Sequence, residues 1–364
     1  AGGAMTTGAS PIAVSAGSSM SLTAPGGIAI TCALSGGTGL ATLNDAVTHS
    51  GGTITGGAGG LAFISSYDGS GGTLREGGNG TITFYGDVTL GTFVADGDTV
   101  VLAGTADQVF VPNGATFSAL SVTKTGGTAA SANVLATGSF SAATYSHSGA
   151  GTFTLPANAV MTVTDSASVS AGTLNLTGAY VASGSSFTVS GGTVNVGTSV
   201  FEAGGLTVSS GLFRQSGQNL ANNTISGLIV SGTGACDWDY SGTDPGGTLS
   251  ILGNAIVNAS TNFYNKVVEI GGTMSGDFTF LDLVIPAGYT MTRAAGSSLI
   301  VLRDFTIEDN GSYVHSGQAL TLGGGSITSG TILDQNTGAH VLQDLGAVTI
   351  AGPAGTTKTI GSGL

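Results

Sequence analysis

A Gly-Thr step followed by an alternating triplet begins at Gly151, Gly172 and Gly192, spacings of 21 and 20 residues, and recurs at Gly247. A repeat of this length constrains the fold more than anything else in the chain, because so short a unit can bury its apolar side only by stacking on its neighbours. Within the units apolar residues fall at every second place, as in Thr81-Ile82-Thr83-Phe84, Thr152-Phe153-Thr154-Leu155, Thr173-Leu174-Asn175-Leu176 and Thr248-Leu249-Ser250-Ile251. That is the period of a strand, whose side chains alternate between two faces. No comparable helical periodicity accompanies it.

Two further units recur. His-Ser-Gly follows a strand at His49, His147 and His315, with a near copy at Gln215-Ser216-Gly217. An aromatic residue or Ile, two residues, Leu, one residue, then Val or Ile occurs at Phe117 to Val122, Ile225 to Val230 and Phe280 to Ile285. Hairpin domains would need many two-residue Asn-Gly or Asp-Gly loops. Such steps are few, as at Asn79-Gly80, Asp96-Gly97, Asn113-Gly114 and Asn310-Gly311. The expected fold is therefore all-β, a parallel β-helix or β-solenoid of about 20 residues per coil. Its body is expected over residues 36–345. Residues 1–35, with Pro11 and Pro25, read as an N-terminal cap or arm. Residues 346–364 read as a last strand and a tail that could contact another protomer.

Composition agrees with an exported repeat protein. Charged residues make up only 7%, and the surface is left to Thr, Ser, Asn and Gly. Disorder does not fit a chain that is 41% hydrophobic, and collagen does not fit 65 Gly without a three-residue period. No run of about 18 apolar residues offers a membrane span, and the aromatics are too thin for the girdles of an outer-membrane barrel. A net charge of −13 repels polyanions, so nucleic acid is not an expected partner. A start at Ala1 without n- or h-region reads as a mature chain after signal-peptide removal, secreted or at the cell surface. Cys32 and Cys236 are 204 positions apart, some ten coils or roughly 48 Å, too far for a bridge within one protomer.

The Gly-Gly-Thr strand starts, the aromatic-x-His-Ser-Gly units and the Leu-x-Val/Ile units resemble those of bacterial secreted right-handed parallel β-helix repeat proteins, including adhesins and autotransporter passengers. The resemblance covers residues 36 to 345. It implies export to the cell surface and a role in adhesion, matrix or filament formation, and it brings no catalytic residue set onto this chain.

Candidate sites are few. The histidines at 49, 147, 315 and 340 are spread over many coils, which suits turn stabilisation rather than a metal site. Asp96-Gly97-Asp98 alone does not make a calcium repeat. Thr-x-Thr pairs at Thr53, Thr81, Thr152 and Thr162 are too irregular for a flat threonine array. The densest polar cluster is Asp237, Trp238, Asp239 and Tyr240, followed by Asp244. On a strand the two aspartates share a face about 7 Å apart, near glycosidase spacings, while Trp238 faces the other way. The four residues are the candidate glycan-binding set; no catalytic residue, metal or cofactor is assigned. The expected function is a non-enzymatic extracellular structural protein that self-associates end to end into a filament, sheath or matrix. The alternative is a surface adhesin that binds carbohydrate.

Overall fold

A computed structural model describes residues 5–6, 12–13, 19–125, 133–198, 200–215, 222–238, 247–301, 305–308, 312–314, 320–322, 329–334, 348–350 and 357–360. They fall into two compact units, Ala1–Val181 and Ala182–Leu364. Both are built from parallel strands, and no helix occurs among the described residues. The fold is the expected β-solenoid.

In the first unit one coil passes through the strands Ala41–Leu43, Val47–His49 and Thr53–Thr55, and the next through Leu61–Phe63, Tyr67–Asp68 and Thr73–Arg75. Each strand hydrogen-bonds in parallel to its counterpart one coil away. Ile28 pairs with Val47, Val47 with Tyr67, Tyr67 with Val88 and Val88 with Phe110, so the coil closes every 19 to 22 residues. Because the register is kept, inward residues stack on inward residues: Leu43, Phe63, Phe84, Leu102 and Val122 form one buried column. Leu34, Ile54 and Leu74 form another on a separate five-stranded sheet. Phe63 and Phe84 lie 5.0 Å apart with planes 9° from parallel, the geometry that stacking of like on like produces.

The third face changes form after Thr92–Val94, the last strand of that small sheet. It resumes as the first half of the strand Thr116–Val122, where Phe117 packs on Phe93 at 4.8 Å. That strand turns the corner without a loop: Phe117 pairs with Ala142 on one face, Leu120 and Val122 with Tyr145 and His147 on the next. The recurring unit at Phe117 to Val122 is thus a corner whose two arms both point apolar residues inward.

The second unit repeats the plan. Ala203 pairs with Ile225, Ile225 with Ile251 and Ile251 with Ile270. Val208, Val230 and Val257 form a parallel column beside them. Its interior holds the chain's single Trp: Trp238 packs 5.1 Å from Phe213, which in turn lies 5.0 Å from Phe201.

The stretch 1–35, expected as a cap or arm, contains ladder strands. The strands Met20–Leu22, Ile28–Ile30 and Leu34–Ser35 already belong to the stack, paired with Ala41–Leu43, Val47–His49 and Ile54-Thr55. Pro25 does not interrupt them. It occupies the turn that Gly27 N–H closes onto Ala24 O at 2.7 Å, a corner position where its fixed φ is an advantage. At the other end, Val348–Ile350 pairs with Leu320–Leu322 and Thr357–Ile360 with Ser329 to Ile332.

The Gly-Thr period is the coil register itself, since Thr152 and Thr173 are paired partners. Gly172 has φ +66°, and a Cβ there would meet the carbonyl oxygens of Gly149 and Gly151 at 2.3 Å. Left-handed backbone and close approach of the adjoining coil both exclude a side chain. Gly172→Ala is expected to destabilise the first unit by about 2 kcal/mol or more, read as a lower urea midpoint; an unchanged midpoint would contradict this packing.

Candidate functional site

Turning a corner leaves backbone N–H groups out of the ladder, and each needs an acceptor. In this chain carboxylate and amide side chains from an adjoining coil supply many of them. Asp45 Oδ2 accepts from Ala24 N at 2.6 Å, Asp87 Oδ1 from Val109 N at 2.8 Å and Asp107 Oδ1 from Asn133 N at 3.0 Å. In the second unit Asn223 accepts from Phe201 N, Asn254 from Thr273 N and Glu308 from Ala287 N. Asp277 accepts from the hydroxyl and N–H of Ser298, which hold it below the usual carboxylate range. Donors at the corners are neutral N–H groups, so the acids need no matching cations. This is a physical source for an excess of 20 acidic over 7 basic residues.

The most developed corner lies where the five-stranded sheet ends. Glu76 and Asp98 are both buried. Glu76 Oε2 accepts from Asp96 N at 2.6 Å, Asp98 N at 3.0 Å and the Ser118 hydroxyl at 2.7 Å, the last 42 residues away. Its side chain spans the gap between Thr92–Val94 and the strand Thr116–Val122. Asp98 accepts from Gly77 N and Gly80 N, both at 2.7 Å. Asp96 forms an ion pair with Arg75 at 2.8 Å, half exposed on both sides. The carboxylates of Asp96-Gly97-Asp98 thus face donors of the chain itself. No cluster of three or more His, Cys, Asp or Glu suited to a metal ion is found among the described residues.

The four residues weighed for glycan binding are placed as follows. Asp237 ends the strand Ala235–Asp237, half-buried and opposite Arg214 in the ladder. Trp238 points the other way, as the alternation requires, and is 0% exposed. Its indole lies among aromatic rings of the core, so the exposed groove around Trp238 required by sugar stacking is not present. The reason is volume: the coil interior here takes the largest side chain available. Asp239 and Tyr240, with Asp244, lie outside the described residues. Cys32 and Cys236 are buried free thiols, and burial pushes the Cys236 thiol up to about 12.

His49 and His147 both point inward at strand ends and are fully buried, His49 on the face of Val47 and Tyr67 and His147 on the face of Leu102 and Val122. His147 Nε2–H donates to Gly151 O at 3.1 Å, bracing its own corner, and His49 Nδ1 is 2.9 Å from the Tyr67 hydroxyl. Burial lowers both histidines, outweighing the nearby glycine carbonyls that raise them. His315 and His340 lie outside the described residues. The Thr-x-Thr pairs sit on different faces, Thr53 on the small sheet and Thr81 and Thr152 on two others, and form no single array.

Two features escaped the sequence reading. Lys124 is buried, its Nζ donating to Ala103 O at 3.0 Å and Gln108 Oε1 at 3.4 Å. Its position two residues after inward Val122 was the available signal. The second is a shallow furrow of about 310 Å³ on the second unit, floored by Thr207, Ile229 and Ile256 and walled by Gly205, Gly227 and Asn254. Ile229 and Ile256, paired partners facing outward where Thr is usual, announce it. Hydroxyl, amide, aliphatic and backbone groups can hold a ligand there but offer no proton transfer near neutrality.

Glu76→Ala strands several buried donors and is expected to cost about 3 kcal/mol, whereas Arg75→Ala, in an exposed pair, should change stability by less than about 0.5 kcal/mol. Equal urea midpoints for the two variants would refute the corner assignment. The buried rings set a pH window. Below 6.5 the unfolded chain takes up protons that folded His49 and His147 resist, so stability falls as pH drops through their lowered values. Tyr67, Tyr145 and Tyr180 are raised above 10.0 by burial, so stability is also lost as pH climbs past that value. Urea midpoints measured across pH should show both limbs, with the acid one shallower in His147→Gln.

Comparison with protein-family models, with curated proteins and with solved structures finds no match.

Proposed function

We propose that this chain is a non-enzymatic structural element of an extracellular or cell-surface assembly, polymerising end to end into a filament, sheath or matrix. The observation that carries the reading is the in-register parallel ladder. Each coil satisfies the backbone of the one before it and presents the same edge to whatever follows. Val348–Ile350 and Thr357–Ile360 are bonded in parallel to Leu320–Leu322 and to Ser329 to Ile332, in the manner of the coils before them. A coil supplied by a second copy would add in the same register, a head-to-tail contact that does not close on itself. The apolar columns of both units support the reading too, because a stacked end coil presents an apolar cross-section to its partner.

An export setting is supported by composition. Seven basic residues give trypsin-like proteases few sites, and Thr, Ser and Asn keep the outer faces wet without charge. No helix among the described residues is long and apolar enough to cross a membrane. Carbohydrate adhesion is the second reading; Trp238 lies in the core, and Asp239 and Tyr240 lie outside the described residues.

Light scattering over rising concentration should show mass growing without a fixed stoichiometry, and negative-stain micrographs should show linear assemblies of increasing length. Particles that stay monomeric throughout would overturn the proposal.

A further inference from the structure

The corner at Gly77 to Gly80 carries, in the same hydrogen bonds that brace it, a reactive arrangement. Asn79 is exposed, has φ +66°, and is followed by Gly80. The Gly80 N–H donates to Asp98 Oδ1 at 2.7 Å, and Asp98 is buried. We propose that Asn79-Gly80 is a self-modifying site, at which Asp98 serves as general base for conversion of Asn79 through a succinimide to aspartate and isoaspartate.

The chemistry balances with water as the only co-reactant. Asp98 takes the proton of the Gly80 peptide nitrogen, and that nitrogen bonds to the side-chain carbon of Asn79. The carbon–nitrogen bond of the carboxamide then breaks, and the NH2 group leaves as ammonia, with a proton drawn from solvent that its exposed position admits. Water then opens the ring at either carbonyl. A base must lie about 2.6 to 3.2 Å from the nitrogen it deprotonates, and Asp98 does. The N–H lies in the peptide plane whereas the nitrogen attacks perpendicular to it, so Asp98 does not block the electrophile. Glycine at position 80 removes the side chain that would crowd ring closure.

The chain contains its own control. Asn113-Gly114 is also an exposed Asn-Gly step with positive φ at Asn113, 49°. There the Gly114 N–H donates to a neutral peptide oxygen, Ser139 O, at 3.1 Å. The two sites share residue types and backbone hand and differ in the acceptor and in the asparagine itself, because the Asn113 carboxamide donates to Leu90 O. Conversion at position 79 would also place a new carboxylate beside Asp96, Asp98 and Glu76, loosening this corner with age by like-charge repulsion.

The test is peptide mapping of the folded full chain held at mildly alkaline pH, with isoaspartate quantified at both steps, repeated in urea. Asn79 is expected to convert at least about tenfold faster than Asn113 in the folded chain, within the 10²- to 10⁴-fold reach of a positioned base, and the two should converge on unfolding. Asp98→Asn should abolish the difference where it folds. Should it fail to fold, the rate at Asn79 in the folded chain against its own rate in urea still decides, because a positioned base makes the folded chain the faster of the two. Asn79 converting no faster than Asn113, or more slowly folded than unfolded, would overturn the proposal.

Discussion

The structure depends on one constraint: parallel strands of successive coils must keep their hydrogen-bond register. Once Val47 lies beside Tyr67 and Tyr67 beside Val88, every inward position of one coil is stacked on an inward position of the next. An apolar residue at each such place is then favoured, at roughly 1.5–3 kcal/mol for each large side chain buried. Alternation fixes the outer residues as well, which is why Thr and Ser recur there. Interior and surface are both consequences of the ladder.

The same ladder creates its own difficulty at the corners, where the chain changes face and backbone N–H groups lose their strand partners. Acceptors borrowed from an adjoining coil resolve it, as Asp45, Asp87, Asp107 and Glu308 do. Where the small sheet ends, a single glutamate bridges the gap, held by Ser118 and two aspartate N–H groups. The acidity of the protein is in this respect structural.

Much of this was legible beforehand because the period lies in the residues: the Gly-Thr steps mark register, and alternation marks inside from outside. Trp238 was correctly set opposite Asp237 by alternation, but a lone Trp in a polar cluster reads as surface until its neighbours one coil away, Phe201 and Phe213, are known. Glu76 was invisible for a related reason. In Arg75-Glu76-Gly77-Gly78 it looks like any wet turn, and its partner Ser118 is 42 residues distant. Strand pairing likewise extends before residue 36, where Pro25 makes the pattern irregular in sequence but sits at a corner in the fold. Local patterns report which face a residue takes; they do not report which coil it meets.

The ladder is tested most directly by spin labels on one outward column, Thr48, Asp68, Thr89 and Val111, which are successive paired partners. Measured from position 48, distances to 68, 89 and 111 should rise in even steps of about 4.8 Å, the spacing of neighbouring strands. Uneven or non-monotonic distances would mean the coils are not stacked in register, and the interior columns, the corner acceptors and the proposed assembly would fall with them.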